Sequence, residues 1–254
     1  MTEIQYTRQG QGEPLLLLHG LGSERRAWRP VLDLLAQHHD VINVDLPGFG
    51  TSPPLPHPPS PQALAQAVAG LLDRLALRDA HVAGNSLGGW VALELGRLGR
   101  ARSVVALSPA GFGEGLEKHA AVAYLRALRV ATPWLPRAWL SQAWLRKLAM
   151  RRLFGRPERV PLEDVLSALD AFTRAPGFAA TVTAAMAAVR FEGKIACPVT
   201  IAWGERDLLL PIRQGERAMQ RLPGARLVRM PGLGHAPMWD DPQLVTAVIR
   251  AGIA

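Results

Sequence analysis

A mostly parallel central β-sheet covered by helices on both faces is the fold class that this 254-residue sequence predicts. Two observations carry that reading. Near-continuous apolar runs such as "PLLLLHG" (14–20) and "PVTIAWG" (198–204) alternate with stretches of helical apolar spacing, as expected of strands buried on both faces. Several runs also end in glycine-rich turns, at the strand ends where open parallel sheets gather their sites. A third observation adds a part to the fold. Residues 112–194 hold no comparable strand and are too long for a structureless loop, so they read as an inserted helical cap. The core is then 1–111 together with 195–254.

Taken in order, residues 14–20 form a strand and turn, and "ERRAWRPVLDLLAQ" (24–37) has the apolar spacing of a helix. "DVINVDLPGFG" (40–50) is strand then turn. "PPLPHPPSP" (53–61) is an exposed loop, because proline fixes φ and lacks a donor N–H. A helix over 62–77, a strand over 81–85, a helix over 87–97 and a strand over 103–110 follow. Inside 112–194, Pro133, Pro136, Pro157, Pro161 and Pro176 punctuate short helices, with Trp134, Trp139 and Trp144 expected to pack between them. The strand at 198–204, a helix near 213–221, the strand "ARLVRMPG" (225–232) and a helix over 242–252 complete the pattern.

Composition narrows the function classes. With 48% hydrophobic and 20% charged residues the chain is globular in type, and no apolar run reaches the length of a membrane span. The N-terminus "MTEIQYTRQG" lacks the basic and apolar segments of a signal peptide, so a cytoplasmic location is the expectation. Cys197, the one cysteine, has no partner for an intrachain disulfide and is expected to be inert. The net charge of +8 comes mainly from arginine, and residues 112–194 hold 13 Lys and Arg against seven Asp and Glu. No dense basic tract, zinc-finger spacing or RNA-recognition signature accompanies it, so no nucleic-acid partner is expected and the charge reads as solvated surface.

The sharpest local signal is "HVAGNSLGGW" (81–90). A G-x-S-x-G turn between strand and helix holds its serine in a strained conformation with the hydroxyl exposed, which suits Ser86 as a nucleophile. The backbone N–H of Leu87, opening the next helix, is placed to stabilise an oxyanion. Serine needs a base, and the base an orienting acid. Downstream turns supply both in the order Ser, acid, His: Asp207 in "WGERDLLLP" (203–211) and His235 in "MPGLGHAPMWDDP" (230–242). Glu205 and Asp240 are the alternative acids, but Glu205 lies before the turn and Asp240 fits a helix cap. His38, His39 and His57 read as surface residues, and His19 as a brace for the turn it opens.

Together these segments resemble the α/β-hydrolases over essentially the whole chain. "HGLGS" (19–23) is similar to that family's oxyanion turn, "DLPGFGTS" (45–52) to its D-x-P-G-x-G-x-S loop, "GNSLGG" to its elbow, "GERD" to its acid turn and "GHAP" to its histidine loop. The resemblance implies Ser86, Asp207 and His235 as catalytic residues and the Leu21 and Leu87 N–H groups as the oxyanion hole, with no metal or organic cofactor. The family's opening is usually longer, so its first antiparallel strand is expected to be absent or truncated here. Serine at 86 argues against the dehalogenases and epoxide hydrolases of this fold, which use aspartate there. The implied reaction is hydrolysis of a small-molecule carboxylic ester with a small to medium acyl chain. C–C hydrolysis of meta-cleavage products is the alternative, since their elbow also reads "GNS"; those enzymes carry Trp after the histidine, where this chain has Ala236. A non-catalytic ligand-binding member is the third reading. Oligomeric state is not legible.

Overall fold

The computed structural model describes residues 3–188 and 190–253; Met1 and Thr2 of the segment read for a signal peptide, and Val189 of the insertion, lie outside them. In chain order the elements are β1 (Tyr6–Gln9), β2 (Glu13–Leu18), α1 (Arg29–Ala36), β3 (His39–Val44), α2 (Pro61–Arg74), β4 (Ala80–Asn85), α3 (Leu87–Arg97) and β5 (Ala101–Leu107). Then come α4 (Leu116–Ala131), α5 (Arg137–Ser141), α6 (Ala143–Met150), α7 (Leu162–Arg174), α8 (Phe178–Ala187), β6 (Val199–Gly204), α9 (Arg213–Arg221), β7 (Arg226–Met230) and α10 (Pro242–Ile253).

Among the described residues seven strands form one sheet in the order β1-β3-β2-β4-β5-β6-β7, parallel except for β1. The first antiparallel strand is therefore present but short, four residues pairing Tyr6 with Val44 through Gln9 with Val41. Period-two alternation assigns the two faces. Leu16 and Leu18 pack with Leu64, Val68 and Leu72 of α2 and Val91 and Leu95 of α3. Leu15 and Leu17 pack with Val31 and Leu35 of α1 and Val245 and Ile249 of α10 on the other side. The inner strands β2, β4, β5 and β6 are almost wholly buried, because neither face of the sheet meets water there, whereas the edge strands β1 and β7 stay partly exposed.

Between β5 and β6 the described residues form five helices, with 3-10 turns at Thr132–Trp134 and Pro157–Arg159. They share a small core of their own, including Leu140, Met150, Phe154, Val160, Val165 and Leu169. The segment leaves and re-enters the sheet at one place: Phe191 N–H bonds the Gly111 carbonyl at 3.0 Å, and the Phe112 and Phe191 rings lie 6.1 Å apart. The tryptophans expected to pack there do not. Trp134, Trp139 and Trp144 are 85%, 57% and 67% exposed, because the small core that they would have entered is filled by leucine, valine, Met150 and Phe154. Among the described residues no helix is long and apolar enough to cross a membrane.

Candidate active site

β4 runs into the sheet buried and turns sharply into α3. Ser86 at the corner has φ 56° and ψ −115°, and it is the one residue from 80 to 96 that is not buried. Positive φ at a non-glycine residue costs on the order of 1–3 kcal/mol and persists only when its surroundings impose it. Here the Ser86 N–H bonds the Leu107 carbonyl at 3.0 Å, while the Ser86 carbonyl accepts from Trp90 and Ala110 at 3.1 and 3.0 Å. Neither neighbouring glycine has room for a side chain. A Cβ on Gly84 would stand 2.2 Å from the Gly88 carbonyl oxygen, and one on Gly88 would stand 2.1 Å from that of Leu18.

Asp207 and His235 lie in the next turns along the sheet, after β6 and β7. Asp207 is 4% exposed, and its Oδ1 accepts the N–H groups of Leu209 at 2.9 Å and Leu210 at 2.7 Å. Its Oδ2 lies 2.8 Å from Nδ1 of His235, also 4% exposed. A carboxylate at Nδ1 assigns the proton to that nitrogen and leaves Nε2 with its lone pair. Among the described residues Asp207 is the carboxylate bonded to His235, while Glu205 is exposed.

Two groups missed by sequence reasoning hold this histidine loop. The Asn85 side chain, one residue before Ser86, donates to the carbonyl of His235 at 2.8 Å and to that of Leu107 at 3.1 Å. Asp240, expected as a helix cap, is instead fully buried. Its carboxylate accepts the N–H groups of Gly155 at 2.8 Å, Arg156 at 2.8 Å and Gly234 at 2.7 Å. Burial pushes its pKa up against those three donors. The cap of α10 is the next residue, Asp241, which accepts from Leu244 N–H at 3.1 Å.

On the other side of Ser86 lies the turn at 19–23. Gly20 is so close that a Cβ on it would stand 3.3 Å from that of Ser86. His19 ties this turn to the loop at 45–52: Nδ1 lies 2.8 Å from the Gly20 carbonyl, and Nε2 accepts the Leu46 N–H at 3.0 Å. That pattern needs the neutral ring, and burial lowers the His19 pKa accordingly. Among the described residues, no loop, turn or cap hydrogen bond uses the N–H of Leu21 or Leu87.

Two cavities open at Ser86. The first, about 140 Å³, is bounded by His235, Leu21 and Trp239 and, from the insertion, by Phe154, Val165 and Phe172. The second, about 100 Å³, is bounded by Leu21, Leu87, Trp90 and residues of α4, α8 and α9. Among the described residues no cluster of three or more His, Cys, Asp or Glu could hold a metal.

A family model described as "Alpha/beta hydrolase family" matches residues 15–248. The chain belongs to the alpha/beta hydrolase family. Among its curated relatives, the epoxide hydrolase EphH of Mycobacterium tuberculosis is 32% identical to this hydrolase over 206 residues, covering 76% of this chain and 95% of the relative. Solved structures repeat the fold at lower identity. A thermophilic esterase from Thermogutta terrifontis superposes with a TM-score of 0.78 at 24% identity, covering 98% of this chain and 92% of its own. An enol-lactonase from Burkholderia xenovorans LB400 gives 0.77 at 22% identity, covering 99% and 96%.

No arginine of the insertion is among the described residues that bound the two cavities at Ser86. Arg156 pairs with Asp241 at 3.1 Å, Arg159 donates to the Asp240 carbonyl, and Arg152 lies 4.9 Å over the Tyr124 ring. The arginine in the wall of the first cavity is Arg26, bonded to Asp164 at 3.1 Å. Cys197 is partly buried, and burial raises its thiol pKa away from the reactive range.

Proposed function

We propose that this chain hydrolyses carboxylic esters of small to medium acyl chains through an acyl-enzyme on Ser86. The observation that carries the reading is the Asp207–His235 hydrogen bond in a histidine that shares a cavity with the one strained, unburied residue of the elbow. His235 Nε2 takes the proton of Ser86 Oγ as that oxygen attacks the ester carbonyl, and the Leu21 and Leu87 N–H groups receive the oxyanion. The same histidine protonates the departing alkoxide, and water then hydrolyses the acyl-enzyme by the reverse path. Asp207 stabilises the imidazolium. We read 112–194 as a cap on the core 1–111 and 195–254, since both parts line the cavities.

The likeness to an epoxide hydrolase does not carry its reaction over, because the fold's epoxide chemistry is expected to need aspartate where this chain has Ser86. The test is stopped-flow hydrolysis of short and medium p-nitrophenyl esters, alongside a ring-cleavage diketone acid. A burst of one p-nitrophenol per enzyme, absent in Ser86→Ala, is the expected result. Turnover of the diketone acid alone would replace ester by C–C cleavage, and no turnover of either would favour a binding protein.

A further inference from the structure

The second cavity contains a side chain whose chemistry simple ester hydrolysis leaves unused. Gln214, in the first turn of α9, is 1% exposed, yet neither its Oε1 nor its Nε2 has a hydrogen-bond partner. Thr181 of α8, in the same wall, is fully buried with its Oγ1 likewise unpartnered. Gly113 backs the amide, since a Cβ there would stand 3.4 Å from both Oε1 and Nε2. Buried amides and hydroxyls almost always find partners, because leaving them unpaired costs free energy that an apolar side chain would not. All three atoms belong to wall residues of the one cavity that Ser86 also bounds, and a ligand reaching them there would satisfy them. The wall's cation, Lys118, bonds the Met186 carbonyl at 2.9 Å.

Which part of a substrate enters here follows from the histidine. His235 bounds the first cavity and is not in the wall of the second, whereas Leu87 bounds the second. The general acid must reach the leaving oxygen, so the alcohol departs on the His235 side and the acyl chain lies in the other cavity. Resting on the ester-hydrolase reading, we propose that the second cavity is an acyl subsite for a chain ending in a carboxamide, recognised by Gln214 with Thr181. A carboxamide presents an acceptor and a donor side by side. Its carbonyl takes the Nε2–H of Gln214 and its N–H donates to Oε1, a pairing that a plain alkyl chain cannot make.

The test compares p-nitrophenyl esters of ω-carbamoyl acids with n-alkyl esters of matched length, across a series of lengths. At one length kcat/KM for the carbamoyl ester should exceed that of its alkyl match by about tenfold or more, since a site built to bond a polar group rejects the analogue lacking it. In Gln214→Met, and less severely in Thr181→Val, that ratio should collapse toward one. The melting temperature of Gln214→Met should be no lower than wild type, because the substitution removes unpaired buried polar atoms. Alkyl ester turnover with no carboxamide preference at any length would overturn the subsite and leave the ester reading standing. So would a preference that survives Gln214→Met. Wild-type enzyme inert toward every ester would overturn both.

Discussion

Ser86 occupies a backbone conformation that suits glycine better than serine, and that conflict makes a test of its role. Ser86→Ala keeps the strain and removes the hydroxyl, whereas Ser86→Gly removes both. Ser86→Gly should therefore melt above Ser86→Ala while neither forms an acyl-enzyme. Equal melting points would mean that the corner is not strained. At the proposed acid, Asp207→Asn should lower kcat by up to about 10⁴, since an amide at His235 Nδ1 favours the wrong tautomer. Glu205→Gln, at an exposed position, should stay near wild type. The reverse pattern in a p-nitrophenyl ester assay would transfer the acid role to Glu205. The placement of Ser86, Asp207 and His235 in turns at one edge of the sheet was legible because each lies in a short motif at a strand end, where spacing restricts the geometry. Asn85, Asp240, Thr181 and Gln214 were not, because what defines them is a partner, or its lack, far along the chain. Asp240 illustrates the difficulty: "DDP" offers two adjacent caps for one helix, and only the position of Gly155 decides which aspartate caps it.

Among the elements, α9 and the start of α4 are held together by charge. Glu117 of α4 accepts from Arg217 at 2.6 and 3.0 Å and also from Arg213, while Arg221 pairs with Glu114. The Arg217 bonds, ahead of those from Arg213, bring the Glu117 pKa down from the ordinary 4.5 to about 2. A carboxylate held lower in the folded than in the unfolded chain adds stability above about 4.5, and that stability is lost as pH falls through about 2. Urea unfolding at stepped pH should thus show wild type ahead of Glu117→Gln by a constant margin down to about 4.5 and a vanishing margin near 2. A margin that ignores pH would mean that Glu117 acts through shape alone. The Asp240 contact joins other elements, pinning the start of the Gly155 turn to the histidine loop. Asp240→Ala removes the partner of one buried and two part-buried N–H donors and empties a buried site, and chemical denaturation should register a loss of about 3–5 kcal/mol. A change below about 1 kcal/mol would show that the turn finds other partners.

At the scale of the whole chain, the strand and helix order from residue 13 to 253 follows the apolar pattern within a few residues, because the inner strands of the sheet are dry on both faces. The strand at Tyr6–Gln9 was hard to read because most of it is exposed at the sheet edge and carries no apolar run. The insertion was legible as helices but not as a surface, since its tryptophans, leucines and phenylalanines compete for one small core. The outcome of that competition divides the seven tryptophans of this protein by location. Trp28, Trp90 and Trp203 are buried in the core, Trp239 is half-buried in the wall of the first cavity, and Trp134, Trp139 and Trp144 face solvent on the insertion. Intrinsic fluorescence therefore contains two populations that need no label to tell apart. Acrylamide should quench a red-shifted fraction from the insertion and leave a blue-shifted fraction from the core nearly untouched; a single quenchable class would mean that the insertion buries its indoles. Monitored at two wavelengths during unfolding, the same light would report separately whether the helical insertion loosens before the sheet beneath it gives way.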